Sequence, residues 1–81
     1  MDKGHLLIVE DDPLQKKLIR ENLEQEGYII FEASSRKEAL GVITEQAIDI
    51  AVVDYKLDEE TGIDVIQGVQ EKNPLITYIM V

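Results

Sequence analysis

Two apolar runs in this chain end in carboxylates. Leu6-Leu7-Ile8-Val9 leads into Glu10-Asp11-Asp12, and Ile48-Asp49-Ile50-Ala51-Val52-Val53 leads into Asp54. If the two runs are neighbouring parallel strands, their acids meet at one edge of a sheet. Such a cluster is costly unless a cation sits among the acids or one of them does chemistry. Asp11 and Asp12 beside Asp54 would make an oxygen-rich, sulfur-free site, the donor set that hard cations such as Mg²⁺ prefer. A carboxylate next to such an ion can attack phosphorus and form an acyl phosphate, and Asp54 is the acid placed for that role. Glu10 reads as a rim acid rather than a direct ligand. Each acid alone also has a structural role open to it. Asp12 before Pro13 suits a helix N-cap, Asp11 a solvated loop and Asp54 a turn after a strand. Their joint order and placement is what points to a site.

The elements that must position these acids follow from the pattern. His5 to Val9 is a continuous apolar run and reads as a strand buried on both faces. Asp12-Pro13 opens a helix whose apolar stripe is Leu14, Leu18, Ile19 and Leu23, and Gly27 closes it. Tyr28 to Phe31 is a second strand. Ser35 and Glu38 fit a capping box for a second helix, with Ala39, Leu40 and Ile43 inward. Ile48 to Val53 is a third strand. Thr61-Gly62 turns into a third helix, Gly62 to Glu71, with Val65, Ile66 and Val69 inward and Asn73-Pro74 as its stop. Leu75 to Val81 is a fourth strand. Strands alternating with helices predict an α/β fold with a doubly wound parallel sheet of flavodoxin-like order, βαβαβαβ. In that order the first and third strands are adjacent, and ligands bind beyond their carboxyl ends.

Composition narrows the chemistry. The 81 residues allow one small domain, and 17 acids against 8 bases give a net charge of -9. Binding to nucleic acid or to an anionic membrane by this chain is therefore disfavoured, and cations or basic protein surfaces are the expected partners. There is no cysteine, which removes disulfides, thiol catalysis and zinc-thiolate sites. No run reaches membrane-spanning length and nothing resembles a signal peptide, so a cytoplasmic protein is expected. No Gly-rich phosphate loop follows the first strand, and the sole histidine, His5, begins a strand and has no partners at metal-ligand spacing. Asp58, Glu59 and Glu60 read as a solvated acidic loop, and Lys16, Lys17 and Arg20 as a solubilising helix face with a possible docking role.

The segments Leu7-Ile8-Val9-Glu10-Asp11-Asp12, Val52-Val53-Asp54-Tyr55-Lys56-Leu57 and Thr61-Gly62-Ile63-Asp64-Val65-Ile66 resemble the receiver domain of two-component response regulators. The resemblance runs in register through essentially the whole chain, 1–81, read as an incomplete receiver domain truncated after the fourth strand. It implies that Asp54 is the phosphoacceptor, that Asp11 and Asp12 bind Mg²⁺, and that the backbone carbonyl of Lys56 is a further metal ligand. It implies a sensor histidine kinase or a phosphotransfer protein as phosphodonor. It also implies a phosphoacceptor that assists its own phosphorylation rather than an enzyme. The family usually has Pro where Asp58 stands. Its Ser or Thr after the fourth strand and its Lys ending a fifth have no counterpart here, and neither Thr61, Thr77, Lys56 nor Lys72 is placed to substitute. The fourth strand would then be a bare apolar edge, which predicts a homo-oligomer through that edge. The alternative is a half-domain with a structural or self-assembling role. A phosphatase using Asp54 as nucleophile is disfavoured, because the position two residues on, where such enzymes often need an acid, is Lys56.

Overall fold

A computed structural model describes residues 3–57 and 61–81; the acidic run Asp58-Glu59-Glu60 lies outside the described residues. The elements run β1 (His5–Val9), α1 (Pro13–Gln25), β2 (Ile29–Ala33), α2 (Arg36–Glu45), β3 (Ile50–Val53), α3 (Gly62–Lys72) and β4 (Thr77–Met80). All strand pairs are parallel, in the order β2-β1-β3-β4. This is the doubly wound sheet expected from the alternation of apolar runs and amphipathic helices.

Local chemistry explains the helix ends. Asp12 is the N-cap of α1, with its Oδ1 accepting from Leu14 N at 3.0 Å, and Pro13 stands at the first turn, where its missing N–H costs nothing. Gly27, at φ 100°, takes the left-handed conformation just past the C-cap, and its N–H returns to Glu24 O. Ser35 caps α2 by accepting from Glu38 N, while the Glu38 carboxylate reaches back to Ser34 N, one residue earlier than in a capping box. Thr61 and Asp64 close a full capping box at the start of α3.

Alternation along the strands divides the core between two faces. Leu7, Val9, Ala51 and Val53 pack with Ala39 of α2 and with Val65 and Val69 of α3. Leu6, Ile8, Ile30 and Val52 form the other cluster, against Ile19 and Leu23 of α1. Each fully buried Leu, Ile or Val side chain among these contributes about 1.5–3 kcal/mol. One face thus carries two helices and the other carries α1.

Several expectations shift. The apolar stripe of α1 is only half used, because Leu14 is 64% exposed and Leu18 is also exposed, while Ile19 and Leu23 face the sheet. Periodicity marks a stripe, but only the elements packed against it decide which part is covered. β2 starts one residue later than expected and runs on to Ala33, because Glu32 and Ala33 stay in register with Ile8 and Val9. Glu32 is tolerated there because Arg20 pairs with it, and Arg20 also bonds Glu24 at 3.3 Å. β3 and β4 are shorter than expected at their starts, β4 also ends one residue sooner at Met80, and Leu75, 90% exposed, lies before β4. His5 has a structural place, with Nδ1 2.8 Å from Ala47 O and its ring edge-on to Phe31.

Candidate functional site

Strand register builds the site. Val9 pairs with Val53, so the next residues along, Glu10 and Asp54, fall side by side. The ladder continues one bond further on each strand, with Glu10 N donating to Ala33 O and Asp54 N to Val9 O, both at 3.0 Å. Neighbouring strands lie only ~4.8 Å apart, so the two carboxyl groups are forced together. Asp11 follows immediately, and its N–H donates to Glu10 Oε2 at 2.9 Å. Carboxylate oxygens of Glu10, Asp11 and Asp54 all come within 4.8 Å of one another.

This trio differs from the expected set by one residue. Asp11 and Asp54 are in it, whereas Asp12, exposed, caps α1 through its Oδ1 and stays outside the trio, and Glu10 takes its place. Glu10, expected on the rim, is 6% exposed. The sequence signal was Glu10's position directly after the last residue of a buried strand, where strand geometry still governs its side chain. Asp12 does line the same cleft, of about 500 Å³, together with Glu10, Asp11, Gln15, Ile19, Asp54, Lys56 and Val81.

The electrostatics match the geometry. Burial, then the hydrogen bond and negative charge of Asp54, push the Glu10 carboxyl up to about 7, against an opposing pull from the backbone N–H groups of Asp12 and Asp11. A buried acid held near neutrality beside a second acid is an arrangement that favours cation binding, since a cation would relieve both the burial and the repulsion. The donor set is three carboxylates with neither nitrogen nor sulfur, which fits a hard divalent ion.

The loop after Asp54 is tied on both sides. Tyr55 N donates to Val81 O at 3.0 Å, and Tyr55 O accepts from Gly62 N at 2.6 Å. Lys56 forms a single antiparallel bridge with Thr61, and its N–H lies 3.4 Å from Asp54 Oδ1. Lys16, on the neighbouring helix, donates to Ser34 at 2.6 Å and so is part of a contact rather than a purely solubilising face.

Residues 6–81 match the family model of the response regulator receiver domain. The chain belongs to that family. Among curated relatives, the transcriptional regulatory protein GlrR of Escherichia coli (strain K12) is 34% identical over 77 residues, covering 95% of this chain and 17% of that protein. The alginate biosynthesis transcriptional regulatory protein AlgB of Pseudomonas aeruginosa is 30% identical over 79 residues, covering 98% of this chain and 18% of that protein. The chain therefore spans about a sixth of the length of these relatives. Among solved receiver structures, the response regulator TrrA from Thermotoga maritima, in complex with Mg²⁺ and BeF, superposes with a TM-score of 0.87 at 27% identity, covering 95% of this chain and 67% of that one. A CheY-like receiver domain from Methanospirillum hungatei gives 0.88 at 28% identity, covering 95% and 62%. These receiver folds share the parallel sheet that brings the three acids together. No helix among the described residues is long and apolar enough to cross a membrane.

Proposed function

We propose that this chain is a phosphoacceptor receiver, taking a phosphoryl group onto Asp54 from a sensor histidine kinase or a phosphotransfer protein. The observation that carries this reading is the gathering of Glu10, Asp11 and Asp54 at the carboxyl edge of β1 and β3 in a chain of the receiver family. Glu10 and Asp11, with Asp54 itself, would hold Mg²⁺, and the backbone carbonyl of Lys56 is the fourth protein ligand in this reading. Asp12 contributes by fixing the start of α1, and it faces the cleft without belonging to the trio. Mg²⁺ held there would supply positive charge to offset the negative charge of the incoming phosphoryl group.

The chain's own groups do the rest. The Asp54 carboxylate forms the new O–P bond while the bond from phosphorus to the donor breaks, and the electron pair leaves with the donor. The N–H of Lys56, on the Asp54 side-chain oxygen, and the tied Tyr55 backbone hold that carboxylate in place. The protein is thus a reactant that assists its own modification rather than an enzyme with a turnover cycle, and a cytoplasmic location goes with that role. The test is chemical trapping. After incubation with Mg²⁺ and a small-molecule phosphodonor, borohydride should convert residue 54 to homoserine, located by peptide mass spectrometry. Homoserine at another acid, or none at all, would refute the assignment.

Self-association belongs to the same reading. β4 is an edge strand carrying exposed Ile79 and Met80, and Leu14 and Leu18 of α1 are uncovered among the described residues. An apolar edge of this kind supports pairing between copies through β4. Sedimentation over a hundredfold range of concentration should show a rising mass; a monomer throughout would exclude it. The reading as a purely structural half-domain gains nothing from the family match.

A further inference from the structure

We propose that Gly62 is a positioning residue for the phosphoacceptor loop, an inference that rests on the receiver reading above. Its missing side chain lets the first turn of α3 close directly on the Asp54–Tyr55 backbone. Gly62 is buried, and a Cβ built on it would fall inside van der Waals distance of Asp54 O, 3.0 Å from Tyr55 Cα and 3.1 Å from Asp54 C. These neighbours are backbone atoms, which cannot swing aside as a side chain can. The same approach brings Gly62 N within 2.6 Å of Tyr55 O. Its φ is negative, so the need for glycine here is close approach and not a left-handed backbone.

The contacts around it make a rigid clamp. The Thr61–Asp64 capping box orients the start of α3, with Thr61 N donating to Asp64 Oδ2 at 3.1 Å and Asp64 N to Thr61 Oγ1 at 3.3 Å. The Lys56–Thr61 bridge joins that start to the loop, and Val81 O holds Tyr55 from the other side. Tyr55 is therefore fixed by its backbone while its side chain is half exposed. A methyl group at position 62 has to push the Asp54–Tyr55 peptide away from α3. That moves the Asp54 carboxylate and the Lys56 carbonyl relative to Glu10 and Asp11, which ride on β1 and do not follow.

The other helix glycines provide controls. Gly68 lies in the same helix, and a Cβ there meets the Arg36 side chain, with Nε at 2.5 Å, and no backbone. Gly41, in α2, has nothing within 4 Å. The experiment compares Gly62→Ala, Gly68→Ala and Gly41→Ala at a temperature where all are folded by circular dichroism. Amide shifts of Tyr55 and Lys56 are recorded in ¹⁵N-labelled protein, first without metal and then through a titration with Mg²⁺ alone. The phosphorylation rate with a small-molecule donor is measured in parallel. Gly62→Ala should shift both amides without metal, raise the Mg²⁺ midpoint at least about tenfold and slow phosphorylation by about 10–100-fold, the usual cost of displacing a reacting group by ~1 Å. Gly68→Ala, where the Arg36 side chain can move aside, and Gly41→Ala, in open space, should both keep the wild-type Mg²⁺ midpoint. A wild-type midpoint in Gly62→Ala, or an equal rise in Gly68→Ala, would overturn the proposal. Should Gly62→Ala fail to fold, Thr61→Ala unfastens the same clamp without adding an atom. It should raise the Mg²⁺ midpoint severalfold, and an unchanged midpoint would overturn the proposal. A wild-type protein that takes no phosphoryl group would sink the receiver reading alone, since the metal-free amide shifts would still decide the role of Gly62.

Discussion

Replacing Glu10 by Gln should make the metal-free protein more stable at pH 8 and leave it unchanged near pH 4.5. Glu10 is 6% exposed, and its carboxyl is pushed up to about 7 by burial first and then by Asp54. The folded state therefore holds this proton more tightly than the unfolded chain does. The stabilisation is fully present below the ordinary value of 4.5 and is lost as the pH rises through about 7. The loss is on the order of 3 kcal/mol once the group is ionised in both states. Glutamine cannot ionise, yet its amide can still accept from Asp11 N and donate towards Asp54. In EDTA, Glu10→Gln and wild type should melt together near pH 4.5 and separate by more than about 10 °C at pH 8, the variant being higher. Repulsion from the overall negative charge affects both proteins and cancels in the difference. Adding Mg²⁺ at pH 8 should raise the wild-type melting temperature and raise that of the variant far less. Melting curves with the same pH dependence for the two proteins would refute the reasoning.

Other substitutions separate cap, core and loop. Asp12→Asn should retain N-cap stability and shift the Mg²⁺ midpoint much less than Asp11→Asn, whereas Asp12→Ala should cost about 1 kcal/mol in urea unfolding; equal midpoint shifts for Asp12→Asn and Asp11→Asn would return Asp12 to the ligand set. Leu7→Ala removes a fully buried side chain and should cost about 2–5 kcal/mol, enough to leave a small domain largely unfolded at 37 °C by circular dichroism. Gly41→Ala, at an exposed site inside α2 with open space around it, should stabilise by up to about 1 kcal/mol.

Much of the fold was legible because local chemistry and tertiary packing agree. Asp12-Pro13 and Gly27 mark the ends of α1 by rules that need no knowledge of the rest of the chain, and the apolar runs of β1 and β3, alternating with helices, fit the parallel sheet in which they pair. The family was legible from the same segments. The membership of the acid trio was not, because it depends on register. Pairing Val9 with Val53 sets Glu10 opposite Asp54, and a slip of one residue would have changed which acids meet. Sequence order alone could not rank Glu10 against Asp12, since Glu10, Asp11 and Asp12 all follow the end of the strand. The exposure of Leu14 and Leu18 was hidden for a related reason, as helical spacing says nothing of what lies opposite. The closeness of Gly62 to Asp54 was likewise invisible, because it joins two segments through a backbone contact that leaves no mark on composition.

The most direct test of the central claim is intact mass after incubation with a small-molecule phosphodonor, with and without Mg²⁺, for wild type and Asp54→Asn. The account predicts one phosphoryl adduct on the wild type, formed only with Mg²⁺ and absent from the variant. An adduct that persists in Asp54→Asn, or no adduct on folded wild-type protein, would contradict it.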